Sequence, residues 1–135
     1  MSFPIENPIR FQVEKTVDGF EIKYSDLMEI CQGGPEIGKL WVNNRPVSDS
    51  LRFGGPLVYS SGFIYAPVFA RGFVSSGFIL AIINATTLKV EKIGRKLPLI
   101  FLDRIEGNHI YFFKDIKKVK SLRYNIRKGV GAESR

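Results

Sequence analysis

The sequence predicts a mainly β fold: an antiparallel meander in two to three repeating units, open rather than closed, with one short helix. Three observations predict it. A Pro-apolar-x-aromatic phrase occurs three times, as Pro8-Ile9-Arg10-Phe11, Pro56-Leu57-Val58-Tyr59 and Pro98-Leu99-Ile100-Phe101. Each copy is followed by a turn glycine, Gly19, Gly62 or Gly107, and these lie 43 and 45 residues apart. A period of roughly 40–50 residues is that of a repeated four-stranded unit. The composition agrees, with 11 Phe and 5 Tyr among 135 residues, because aromatic side chains favour half-buried pleated surface.

Residues 8–14 and 19–24 read as two strands around Asp18-Gly19, a dipeptide suited to tight hairpins. Next comes a helical signature. Ser25 or Asp26 can cap, Glu29 stands at capping-box distance from Asp26, and Leu27, Ile30 and Cys31 share a face ended by Gly33-Gly34-Pro35. Lys39 to Asn43 is expected as a strand with a turn at Asn43-Asn44 or Arg45-Pro46. Leu57–Tyr59, Phe63–Ala66, Phe78–Asn84 and Leu88–Ile93 form a meander, in which Pro67 marks an edge or a bend because it has no donor. Leu99–Leu102 and His109–Phe113 flank the turn at Gly107. Residues 115–128 fit either a helix or a strand, and the repeat favours the strand. The three phrases are expected at equivalent strand positions, with Phe11, Tyr59, Phe101, Ile64 and Ile110 buried. One domain is expected over 1–128, with 129–135 a flexible tail.

The balance of 44% hydrophobic and 24% charged residues is that of a globular chain. The longest proline-free apolar run, Phe78 to Ile83, is six residues, too short to cross a bilayer as a helix. With one cysteine and no basic-apolar leader at Met1-Ser2-Phe3, a cytoplasmic location is expected. Net charge is +7 but unevenly spread. Residues 1–50 hold eight acids against five bases, a balance of −3, and residues 51–135 hold five against fifteen, a balance of +10. Such asymmetry orients an approaching partner.

Catalytic and metal chemistry find little support. His109 has no sequence partner for general-base or ligand work and reads as a partly buried strand-end residue. Cys31 reads as a small hydrophobe on the helix face. Gly33-Gly34-Pro35 and Gly54-Gly55-Pro56 lack the P-loop lysine, and their prolines remove donors a phosphate nest uses. No catalytic residue, metal site or cofactor is expected. The one charged constellation comprises Lys114, Lys117, Lys118, Lys120 and Arg123, continued by Arg127 and Lys128, with Tyr111, Phe112 and Phe113 before it and Tyr124 within it. These cations fit phosphates or an acidic protein surface, or they simply keep a solvated edge from aggregating. Trp41, the only tryptophan, with Arg45 beside it, is the candidate aromatic anchor, or else a core residue.

The text Gly54-Gly55-Pro56-Leu57-Val58-Tyr59 followed by Gly62-Phe63-Ile64-Tyr65, with Leu88-Lys89-Val90-Glu91-Lys92-Ile93-Gly94, resembles inner-strand segments of β-propeller blades. Three units are too few to close a propeller. A chain of this size with such units also resembles the small immunity proteins of bacterial contact-dependent growth inhibition toxin systems. That resemblance implies a cytoplasmic, non-enzymatic protein that binds and neutralises a cognate toxin domain, and it transfers no residue. The alternative reading is a nucleic-acid-binding module using the basic C-terminal patch.

Overall fold

A computed structural model of the chain describes residues 6–72, 75–118 and 120–126. Short segments pair with their sequence neighbours, through two-residue turns at 18–19, 43–44, 61–62 and 107–108 and longer connections elsewhere, and three antiparallel meanders result. The first sheet contains β1 (Glu14–Val17), β2 (Phe20–Glu29), β3 (Glu36–Val42) and β4 (Arg45–Pro46), in that order. The second contains β5 (Val58–Ser60), β6 (Phe63–Ala70), β7 (Gly77–Asn84) and β8 (Val90–Leu97), also in order. The third contains β9 (Phe101–Glu106), β10 (His109–Phe113) and β11 (Ser121–Asn125), with β10 central. No sheet closes into a barrel, so the fold is mainly β and open.

The repeated glycines do one job three times. Gly19, Gly62 and Gly107 each lie in the two-residue turn between the first and second strands of a sheet, closed by Val17↔Phe20, Ser60↔Phe63 and Glu106↔His109. Each Pro-apolar-x-aromatic phrase leads into the first strand of its sheet rather than filling it. Phe11 precedes β1 altogether, Tyr59 is inside β5, and Phe101 opens β9. Phe11, Phe101, Ile64 and Ile110 are buried as expected, while Tyr59 is half-buried. Its hydroxyl accepts from the Gly62 amide at 3.0 Å, so it braces the turn. The last ambiguous segment is strand, as β11. The expected 129–135 tail lies outside the described residues.

The second sheet is the middle layer. Along β6, Ile64, Ala66 and Val68 point to one side, and along β7 Ala81 and Ile83 do the same. They pack with Ile22, Tyr24, Leu40 and Val42 of the first sheet. The alternate residues Tyr65, Phe78, Leu80 and Ile82 point the other way, onto Leu102, Ile110 and Phe112 of the third sheet. Both strands therefore read as nearly continuous apolar runs, as strands covered on two faces do.

A single residue joins the first and second sheets. Phe53, fully buried, exchanges both backbone hydrogen bonds with Gly38 of β3, at 2.9 and 2.8 Å. Its neighbours bond β6: the Gly54 amide donates to the Pro67 carbonyl at 2.8 Å, and the Phe69 amide donates to the Arg52 carbonyl at 2.9 Å. Pro67 sits beyond the end of β5, so its missing donor falls where no full strand runs. Tyr24 adds a further tie, its buried hydroxyl donating to the Gly54 carbonyl at 2.7 Å. Burial, and secondarily the charge of Glu6, push the ionisation of this phenol far above its ordinary value.

The expected short helix is absent, and residues 25–31 correct the sequence reading. β2 continues to Glu29, pairing Ser25 with Lys39 and Met28 with Ile37 across a bulge. Asp26, with φ of 54°, absorbs the extra length in the left-handed region. The capping signals are real but local; pairing with β3 on both sides of the bulge outweighs them. Cys31, expected on an apolar helix face, is exposed in the loop after β2. The bulge constrains β3 in return, because a Cβ on Gly38 would lie 2.6 Å from the Ser25 carbonyl oxygen.

Gly38→Ala is therefore expected to lower the unfolding free energy by about 1–3 kcal/mol, the range for overpacking, read as a lower urea midpoint. Phe53→Ala should cost about 3–5 kcal/mol by the same measurement. Unchanged midpoints in both variants would show that this junction does not hold the sheets.

Candidate functional site

Two sheet faces remain outward, one on each outer layer. On the third sheet the outward residues of the central strand are His109, Tyr111 and Phe113. Register sets Tyr111 between Arg104 of β9 and Arg123 of β11, and Phe113 between Phe101 and Ser121. Each aromatic side chain on the β9 side has a cation over it. The Arg104 guanidinium lies 4.3 Å from the Tyr111 ring centre. The Lys118 ammonium lies 5.1 Å from Phe101 and 5.8 Å from Phe113, whose rings meet edge to face at 6.1 Å.

Arg104 is fixed as well as stacked. It donates to Glu106 at 2.8 Å and to the adjacent Asp103 at 2.5 Å. The Glu106 and Asp103 carboxylates raise the arginine's pKa, and Arg104 holds the Glu106 carboxyl below its ordinary value. Lys114, Lys117, Lys118 and Lys120 are all exposed on the β10–β11 connection. From Phe101 to Ile126 the described residues carry six bases against three acids. Because the sheets follow chain order, the acidic N-terminal part forms one outer layer and this basic part forms the other.

The expected site residues thus divide. Lys114, Lys117, Lys118, Lys120 and Arg123 gather on the third sheet and its loop, whereas Trp41 and Arg45 belong to the first. Trp41 is not a core residue. It is half-buried on the outer face, its indole N–H donating to the Ser25 hydroxyl at 2.7 Å and Lys39 lying 5.7 Å from its ring. Arg45 clasps the second sheet, donating to the Thr86 carbonyl at 2.9 Å. Sequence reasoning passed over Arg104. The signal was reflection about the Gly107-Asn108 turn, which sets residue 104 opposite 111.

No group of three or more His, Cys, Asp or Glu that could hold a metal ion occurs among the described residues, and His109 lies beside Tyr111 with ring centres 6.3 Å apart. A cleft of about 440 Å³ opens between β8 and the inner side of β11, lined by Gly94, Arg95, Leu97, Phe112, Leu122, Arg123 and Tyr124. No helix is long and apolar enough to cross a membrane among the described residues. No protein-family model, curated protein or solved structure matches this chain.

The Arg104–Glu106 pair gives a pH prediction. A lowered folded-state pKa means that the pairing is complete at neutral pH and is lost as pH falls through the Glu106 midpoint. Carbon NMR of the Glu106 carboxyl should place that midpoint below about 4.3, the ordinary glutamate value. Arg104→Gln should return it to that value.

Proposed function

We propose that the chain is a non-enzymatic protein-binding module that applies the basic outer face of its third sheet to an acidic surface of its partner. The observation that carries this reading is the covered aromatic row. Single-stranded nucleic acids are held by bases stacking on open aromatic faces, but here Arg104 lies over Tyr111 and Lys118 lies over Phe101 and Phe113. A base would have to displace these cations. An acidic protein surface meets the Lys118 ammonium as it stands, while Arg104, paired with Glu106 and Asp103, keeps the Tyr111 face covered. Arginine and tyrosine in that arrangement are frequent anchors of protein interfaces.

The class of partner follows from the resemblance to the small immunity proteins of contact-dependent growth inhibition systems. The proposed partner is a cognate bacterial toxin domain, neutralised in the cytoplasm by occlusion rather than by chemistry. Charge on the β10–β11 loop steers the encounter, and Arg104, Tyr111 and Arg123 supply the centre of the contact.

The test is the triple reversal Lys117→Glu, Lys118→Glu and Lys120→Glu, measured against a protein partner captured from the native host or, where the neighbouring gene encodes a toxin domain, against that domain. Association should slow by about tenfold or more at low salt, and the loss should shrink as salt is raised. Wild-type protein should show no measurable affinity for single-stranded RNA or DNA oligonucleotides at physiological salt. Oligonucleotide binding with a steep salt dependence, abolished by the reversal while any protein complex persists, would establish the nucleic-acid reading instead.

A further inference from the structure

We infer that the cleft between β8 and β11 is a small-molecule site for a planar aromatic anion, such as an aryl phosphate or a nucleotide. The cleft is a product of backbone irregularity. Phe78 pairs with Leu97 and Leu80 with Ile93, so one residue of β7 faces three of β8, and Gly94-Arg95-Lys96 bow away from the ladder. Bulges of this kind re-aim side chains and frequently border sites. Gly94 has φ of 78°, and a Cβ there would collide with the Tyr124 ring. The position accepts only glycine if that ring is to keep its seat.

The lining combines two chemistries that seldom meet by chance in one concavity. The half-buried Tyr124 ring forms an aromatic wall, backed at 4.9 Å between ring centres by the buried Phe112, and Leu97 and Leu122 extend it. Arg95, on the bowed segment, and Arg123, which register places with Tyr111 on the outward side of the edge strand β11, border the cleft, are exposed, and are ion-paired with no carboxylate among the described residues. No carboxylate lines the cleft at all. Guanidinium groups recognise phosphate and carboxylate through paired donors, while aromatic walls take planar rings. A volume of about 440 Å³ lies within the range of small-ligand sites. An apolar ligand would leave both arginines unused, and a bare anion would leave the aromatic wall unused. A ligand carrying a ring and an anionic group uses both.

This inference stands apart from the proposed partner face, sharing only Arg123 with it. The test is a proton–nitrogen NMR titration of the full chain with phenyl phosphate, and in parallel with inorganic phosphate and with phenol. Phenyl phosphate should give saturable shifts at the amides of Gly94, Arg95, Leu97, Leu122 and Tyr124, in the millimolar range or tighter. Phosphate and phenol should each bind at least about tenfold more weakly. The double variant Arg95→Gln, Arg123→Gln alters two exposed side chains and should weaken phenyl phosphate by about tenfold or more, its unperturbed spectrum reporting that the fold is kept. Absence of saturation, shifts centred elsewhere, equal binding of phosphate alone, or undiminished binding by the double variant would each overturn the inference.

Discussion

β6 and β7 carry apolar side chains on both faces, and that constraint organises everything else. A sheet made from such strands cannot turn either side to water without exposing several large aliphatic groups, each worth about 1.5–3 kcal/mol when buried. Two further sheets are required, and the chain supplies one before and one after. The first sheet covers Ile64, Ala66, Val68, Ala81 and Ile83, and the third covers Tyr65, Phe78, Leu80 and Ile82. The two outer sheets each turn one face to the core, so their outward faces are left for charge and part-exposed aromatic side chains.

Phe53 shows how tightly the first of these contacts is made. Between β4 and β5 the chain passes between two sheets, and one residue satisfies backbone groups on β3 while its neighbours satisfy β6. The junction is too short to be a strand, yet it is as well hydrogen-bonded as one. Gly38 sits where the β2 bulge, β3 and Phe53 converge, which leaves no room for a side chain. The third sheet has no equivalent backbone tie in the structure described. It is held by side-chain packing, and its β11 margin opens into the cleft beside Gly94.

Layering in chain order also turns a sequence property into a spatial one. The acidic excess before residue 50 and the basic excess after it would average out in a fold that interleaved its halves. Here the acidic excess stays on one outer layer, while the basic excess is divided between the rims of the middle sheet, with six bases against one acid in residues 51–100, and the opposite outer layer, with no charged side chain in the double core between them. The basic layer then arranges its cations over rings rather than beside carboxylates alone, which lowers the exposed aromatic area while leaving the charges outward.

Much of this was legible in the residues themselves. Turn glycines at nearly constant spacing marked the same hairpin in each sheet, and the strands expected at 78–84 and 109–113 match β7 and β10, whereas 63–66 covers half of β6 and 39–43 starts three residues inside β3. The basic cluster after Phe113 was visible as composition. Other features depended on partners distant in sequence. Residues 25–31 hold a sound local helix signal, but strand pairing with residues 36–39 overrides it, because a paired backbone on both sides of a bulge is worth more than capping. Trp41 could be assigned to neither core nor surface until Ser25 and Lys39 were set beside it by the β2–β3 register. Arg104 and Tyr111 became a unit only through the β9–β10 pairing, and the Gly94–Tyr124 contact only through the packing of two sheets. The sequence by itself determined that the chain is mainly β and where its tight hairpins turn, since those follow from residue composition and turn chemistry. Tertiary structure decided which faces are outward and which side chains meet there, since these depend on burial shared between residues far apart in the chain.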